Sequence, residues 1–163
     1  MTRLTSLAAA LMLAAFSHAA GPASAQGELA PRDGWTVIDT DTAFSELVES
    51  LTAAIEAAEM GLVTQASASA GAKMQGVTIP GNRVIGVYRN DYARRMLKAS
   101  VAAGIEAPIR FYVTEDTDGG ATLSYKHPSF VFAPYLAEGG DALETLAGEL
   151  DAVFKAIAED ATN

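Results

Sequence analysis

The sequence predicts a single α+β domain, with an antiparallel sheet of four to five strands covered on one face by helices. Three observations predict it. Each strand-like segment alternates apolar with polar residues, so each has one face to bury and one face to leave open. Each long helical segment carries one apolar stripe at a period near 3.6. Near the middle, "PIRFYVTEDTDGGATLSYKHP" sets two alternating runs around a turn rich in Asp and Gly, which is a β-hairpin pattern. One-sided strands and one-sided helices bury their apolar surfaces most simply against each other.

The elements follow in order. "WTVID" at 35–39 alternates as a strand. Phe44, Leu47, Val48, Leu51 and Ile55 are then spaced by three, four and seven, the stripe of an amphipathic helix. Thr40 or Asp41 is expected to cap this helix and Gly61 to end it. Residues 62–82 read as a strand, a short helical turn and a loop, because the stretch turns small and polar and holds several glycines. "VIGVYRN" at 84–90 is a strand, and Asn90 or Asp91 is expected to cap a helix from Tyr92 to about Ala103, closed by Gly104. On that helix Ala93, Leu97 and Val101 should line the buried side, Arg94 and Lys98 another, and Asp91 should pair with Arg95 one turn on.

Parity fixes the hairpin. A three-residue loop, Thr117-Asp118-Gly119, with Gly in the left-handed position, puts Ile109, Phe111 and Val113 on the same side as Leu123 and Tyr125. The opposite side then carries Arg110, Tyr112, Thr114, Thr122, Ser124 and Lys126. After Pro128, "SFVFAPY" reads as an apolar covering loop or short helix. Leu143, Leu146, Leu150, Val153, Phe154 and Ile157 mark a long closing helix.

The first residues, "MTRLTSLAAALMLAAFSHAAGPASAQ", place one arginine before a short apolar run and then small residues, which predicts a secretory signal peptide. Ala23 and Ala25 suit the cleavage positions, so residues 1–25 are expected to be removed before Gln26. Residues 26–34 then form a flexible leader, and 35–163 the domain. The run is short for a span of roughly 20 residues, so a periplasmic or secreted product without a membrane span is expected. Of 163 residues, 138 would remain, enough for one domain with a sizeable core.

With no cysteine, thiol catalysis, disulfides and cysteine zinc sites are excluded, and packing alone must supply stability. Loss of Arg3 leaves ten Lys and Arg against twenty Asp and Glu, a formal charge of −10, which repels phosphate backbones and argues against nucleic acid as a partner. Half of those cations, Arg83, Arg89, Arg94, Arg95 and Lys98, lie within 16 residues, as a solvated helix face beside a strand end or as an anion-attracting patch.

Reactive side chains are few. His127 is the one histidine beyond residue 25, too few for a histidine metal site. Placed before Pro128, it has an extended backbone and reads as a strand-end residue, with a ligand contact or pH-sensitive role as the alternative. The acidic turn lacks an EF-hand's final glutamate, because that position is Tyr125. No nucleophile elbow or phosphate-binding loop is present. The polar side of the hairpin is the stronger candidate. Arg110 can hold a carboxylate or phosphate through two hydrogen bonds, Tyr112 offers a flat contact, and Lys126 adds charge. Arg89, Arg94 and His127 complete the set of candidate ligand contacts.

From Val84 to Tyr135 the sequence resembles the bacterial domain-of-unknown-function family 302. The resemblance rests on the strand ending at Asn90, the Ala107-Pro108 pair, the Glu115-Asp116 and Asp118-Gly119 turn, and Tyr125 followed by Pro128. It extends, less sharply, back to Trp35. It implies a β-α-β(4)-α arrangement like that of the TATA-binding-protein class, a homodimer, and no assigned reaction. Where relatives have Gly-Asn-Pro at the strand end this chain has Arg89-Asn90-Asp91, and where they often carry a loop histidine it has "QASASAGA".

Together these features predict a non-enzymatic binding or interaction module for a small anionic or aromatic ligand, needing no metal or cofactor. Two alternatives differ in kind: an enzyme whose site forms at a dimer interface from Arg110, Tyr125 or His127, and a structural partner of another envelope protein through "SFVFAPYL". An enzyme would place a titratable group with a shifted pKa in a cleft; a binding module would show converging cations without one.

Overall fold

The computed structural model describes residues 29–163. The expected signal peptide over 1–25, and the start of the leader over 26–34, lie outside the described residues. The fold is α+β. Its elements run β1 (Trp35–Thr40), α1 (Phe44–Ala57), β2 (Gly61–Ala66), α2 (Ala68–Met74), β3 (Asn82–Tyr88), α3 (Asn90–Ala99), β4 (Ile109–Glu115), β5 (Ala121–Lys126), α4 (Pro128–Phe132) and α5 (Leu136–Thr162). Short 3-10 turns cover Ala102–Glu106 and Ala133–Tyr135. The strands form one sheet in the order β1-β5-β4-β3-β2, and every neighbouring pair is antiparallel.

The hairpin register is the one parity requires. Phe111 lies opposite Tyr125 and Val113 opposite Leu123. Asp116 donates its N–H to the Gly120 carbonyl at 2.9 Å, so the loop is Thr117-Asp118-Gly119, with Gly119 at φ 96°. The buried face gathers Ile85, Val87, Phe111, Val113, Leu123 and Tyr125 beneath α1 and α5. From α1 come Leu47, Val48, Leu51 and Ile55, and from α5 Leu143, Leu146, Leu150, Phe154 and Ile157. Burying side chains of this size stabilises the fold by about 1.5–3 kcal/mol each. Phe111 and Phe154 stack with ring centroids 4.4 Å apart, and the Tyr125 ring meets Phe111 edge-on at 5.3 Å.

Local details correct several expectations. The residue preceding α1 is Ala43, with no side-chain cap, so neither Thr40 nor Asp41 caps it. The helix ends before Gly61, which begins β2. Glu59 takes the left-handed conformation at φ 56°, Met60 N–H reaches back to the Ile55 carbonyl at 3.1 Å, and burial of the Met60 side chain holds the turn. A side chain that anchors in the core can thus hold a non-glycine residue in a conformation glycine favours.

The third helix also departs. It ends at Ala99 rather than near Ala103, because Ser100 leaves the helical region and its hydroxyl accepts the Ala103 N–H at 3.1 Å. Neither Asn90 nor Asp91 acts as the cap: the N-cap residue is Arg89, and no side chain bonds there. Gly104 falls inside the following 3-10 turn. With the helix shortened, Ala93 and Met96 are its buried residues, while Leu97 and Val101 stand exposed. Asp91 pairs with Arg89 at 2.8 Å instead of Arg95, which reaches across to Glu149 on α5 with two contacts of 2.7 Å.

Tyr125 supplies a pH signature. Burial pushes its hydroxyl above the ordinary value of 10, partly offset by a hydrogen bond to Thr36. The folded state therefore holds that proton more tightly than the unfolded chain. This stability is fully present below the unfolded value and is lost as pH rises through the folded one. Melting temperatures measured between about pH 9 and 11 should fall less steeply for Tyr125→Phe than for the parent. Equal slopes would remove Tyr125 from the alkaline transition.

Candidate functional site

Opposite the core, the register aligns side chains in rows across the outer sheet face. Trp35 on β1 pairs with Lys126 on β5, and Arg110 on β4 pairs with Gly86 on β3; Arg110 and Lys126 each stand one residue past the last hairpin pair, Phe111 and Tyr125. The next row is Val37, Ser124, Tyr112, Val84 and Ala66. The third is Asp39, Thr122, Thr114 and Asn82. Successive rows are about 7 Å apart along the strands. A groove of about 570 Å3 runs over this face, and its lining includes Trp35, Arg110, Tyr112, Ser124 and Lys126.

The floor of the groove is made of small side chains. Ser124 in the lining is buried, as are Thr114 and Thr122 in the row beyond it. Thr122 donates to Asp116 at 2.7 Å with Asp39 3.1 Å away, and the Ser124 hydroxyl lies 3.4 Å from the Tyr112 carbonyl. At the far end Asn82 accepts the Ala68 N–H at 2.8 Å, seating α2 at that corner. Gly86 keeps its end of the first row low. A Cβ there would lie 2.8 Å from the Pro108 ring and would also overlap the Thr64 hydroxyl.

Charge divides this face. At the first row the guanidinium of Arg32 sits 5.1 Å from the Trp35 ring centroid and the Lys126 ammonium 5.5 Å from it. Arg110 and Lys126 lie on adjacent strands, each one residue past the hairpin pair Phe111 and Tyr125. Among the described residues, none of these three cations forms an ion pair with a carboxylate. Two cations directly opposite one another destabilise a sheet unless solvent or an anion lies between them. Asp39, Asp41, Asp116 and Asp118 gather at the third-row end. The two ends are about 14 Å apart, beyond the screening length of about 8 Å at physiological salt, so the acidic end compensates the cationic end little; the carboxylate in the groove lining itself, Glu106, accepts from the Tyr135 hydroxyl.

Of the six expected contact residues, the structure brings together three: Arg110, Tyr112 and Lys126. Arg89 and Arg94 lie on or beside α3. Arg89 is held by Asp91, and its guanidinium lies 4.3 Å from the Tyr92 ring centroid. The hydrogen bond from Arg89 lowers the Asp91 carboxyl below its ordinary value and raises the Arg89 guanidinium in return. His127 sits at the start of α4, its Nε2 3.0 Å from the Thr36 hydroxyl, in a cleft with Tyr125, Asp151 and Lys155 on the helix side of the sheet. Arg110, Tyr125 and His127 therefore do not converge within one chain. Among the described residues no group of three His, Cys, Asp or Glu side chains is arranged to hold a metal ion.

Trp35 and Arg32 were not among the expected contacts. Both depend on the pairing of β1 with β5, which joins residues 91 positions apart. Their signal was the parity of Trp35 within its strand, usable once that partner strand is known.

Comparison with known proteins agrees with the fold. No curated protein matches the chain. A crystal structure of an uncharacterised conserved DUF302 protein from Bacillus stearothermophilus superposes with a TM-score of 0.70 at 16% identity, covering 81% of this chain and 100% of that one. At that identity the likeness shows the fold alone. The sequence model for DUF302, a domain of unknown function, matches residues 36–161, nearly the whole described domain, and the chain belongs to the DUF302 family.

Proposed function

We propose that this DUF302 domain binds a small anion carrying a flat apolar portion, such as an aromatic carboxylate, on the outer face of its sheet. One observation carries the reading: Arg32 and Lys126, neither paired with a carboxylate among the described residues, flank the Trp35 ring at a groove whose lining also holds the unpaired Arg110. Arg110 offers paired N–H donors to a carboxylate or phosphate, and Lys126 and Arg32 add charge. Trp35 and Tyr112 offer flat surfaces to a ring, and the low floor of Ser124, Val84 and Ala66 leaves room for it. The carboxylate in the lining, Glu106, accepts from the Tyr135 hydroxyl at 2.7 Å, and among the described residues no second carboxylate or histidine lines the groove beside it, so the reading is of binding rather than catalysis. All of the residues come from one chain, and the site does not require the homodimer that family resemblance implies.

The test is a melting-temperature screen of the purified chain against inorganic anions, aliphatic carboxylates and aromatic carboxylates. A ligand at a hundredfold excess over its Kd stabilises by about 2.7 kcal/mol, and aromatic carboxylates should give the largest rise. A flat response across the panel would remove the proposal's support. We also propose that the chain is exported and acts outside the cytoplasm. Mass spectrometry of the protein recovered from its native cell envelope should then find an N-terminus at Gln26, and an intact Met1 or Thr2 start would contradict export.

A further inference from the structure

Apart from the groove, two surface segments hold large aliphatic side chains in solvent. One, Met74 to Ile79, adjoins Glu115 and Asp116. The other is the end of α3 and the turn after it, where Leu97 is 46%, Val101 78% and Ile105 79% exposed. These three are spaced by four residues. A Cβ on Gly104 would lie 2.9 Å from Leu97, so the 3-10 turn folds back against α3 and the two segments share one surface. Single exposed aliphatics are ordinary on protein surfaces, but three on nine residues form a patch.

The charges beside this patch differ from those of the chain as a whole. Arg94 and Lys98 are exposed on the same helix, and neither forms an ion pair among the described residues. The nearby carboxylates are engaged elsewhere. Asp91 is held by Arg89 and Glu149 by Arg95, Glu106 accepts from Tyr135 at 2.7 Å, and Glu138 accepts from Ser100. The geometry points to an anionic lipid surface as the occupant: Leu97, Val101 and Ile105 enter the headgroup boundary while Arg94 and Lys98 meet the phosphates. The net negative charge of the rest of the chain opposes this only weakly at physiological salt, because charges farther than about 8 Å are screened.

The test uses the chain from Gln26, which retains every described residue, with vesicles of phosphatidylcholine alone or mixed with phosphatidylglycerol. Cosedimentation should be marked with the mixed vesicles and weak with the neutral ones. Val101→Asp with Ile105→Asp should reduce the partition by roughly tenfold or more, and Arg94→Glu with Lys98→Glu should abolish the preference for anionic lipid. Arg110→Ala should leave vesicle binding unchanged, which separates this surface from the groove. Val101→Ser with Ile105→Ser serves if the aspartates disturb the fold, as judged by circular dichroism. Absence of binding to mixed vesicles, or equal binding by parent and both double variants, would overturn the assignment.

Discussion

Phe111→Ala should destabilise the domain by about 3–5 kcal/mol, the range for removing a fully buried aromatic ring. Phe111 has no solvent exposure, stacks on Phe154 at 4.4 Å and receives the edge of Tyr125 at 5.3 Å. It therefore joins the central strand to α5 and to the neighbouring strand at once. Its loss leaves a cavity walled by two rings that cannot collapse into it without leaving their own positions. A domain of this size has a total stability of about 5–15 kcal/mol, so a large part of it would go. Urea unfolding followed by circular dichroism measures the change. A loss below about 1 kcal/mol would mean that the ring is not the keystone that its packing indicates.

Arg110→Ala should remove the response to anions while leaving the fold intact. Its side chain is exposed on the outer face, makes no ion pair among the described residues and contributes nothing to the core. Deleting it also removes one of the cations at the end of the hairpin that carries Lys126, so the unliganded protein should melt at the same temperature or slightly higher. Two charge-assisted hydrogen bonds to one carboxylate would be lost, worth about 3 kcal/mol together, or on the order of a hundredfold in affinity. Lys126→Ala should cost less, because an ammonium supplies a point charge rather than a planar fork. An Arg110→Ala protein that retains the full anion-induced rise in melting temperature would place the anion elsewhere.

The sequence made the sheet legible where its pairing is local. Loop length and alternation sufficed to align Phe111 with Tyr125 and to set Arg110, Tyr112 and Lys126 on the other face, because strands joined by a short turn have their register set by that turn. Three of the groove residues followed from this. The pairing of β1 with β5 is not local, and no short-range pattern announces it, so Trp35 and Arg32 reached the site only through the fold. Helix ends were less legible for a related reason. Burial of Met60 let Glu59 close α1, and Ser100 broke α3 by bonding to Ala103 and Glu138. The serine was a readable signal, since a hydroxyl inside an apolar pattern competes for backbone hydrogen bonds. Treating Val101 as buried continued the stripe past that break. On the hairpin the outer face is polar as expected, but the burial of Thr114, Thr122 and Ser124 there was not read from the sequence.

Trp35 is the single tryptophan of the chain and stands in the first row of the groove, between the cations of Arg32 and Lys126. Tryptophan fluorescence, excited selectively over that of the five tyrosines, thus reports on the proposed site. Titration with an aromatic carboxylate should give a saturable change that weakens with added salt and shifts to much higher concentration in Arg110→Ala. Fluorescence that stays constant, or that changes identically in the parent and in Arg110→Ala, would contradict anion binding at this face.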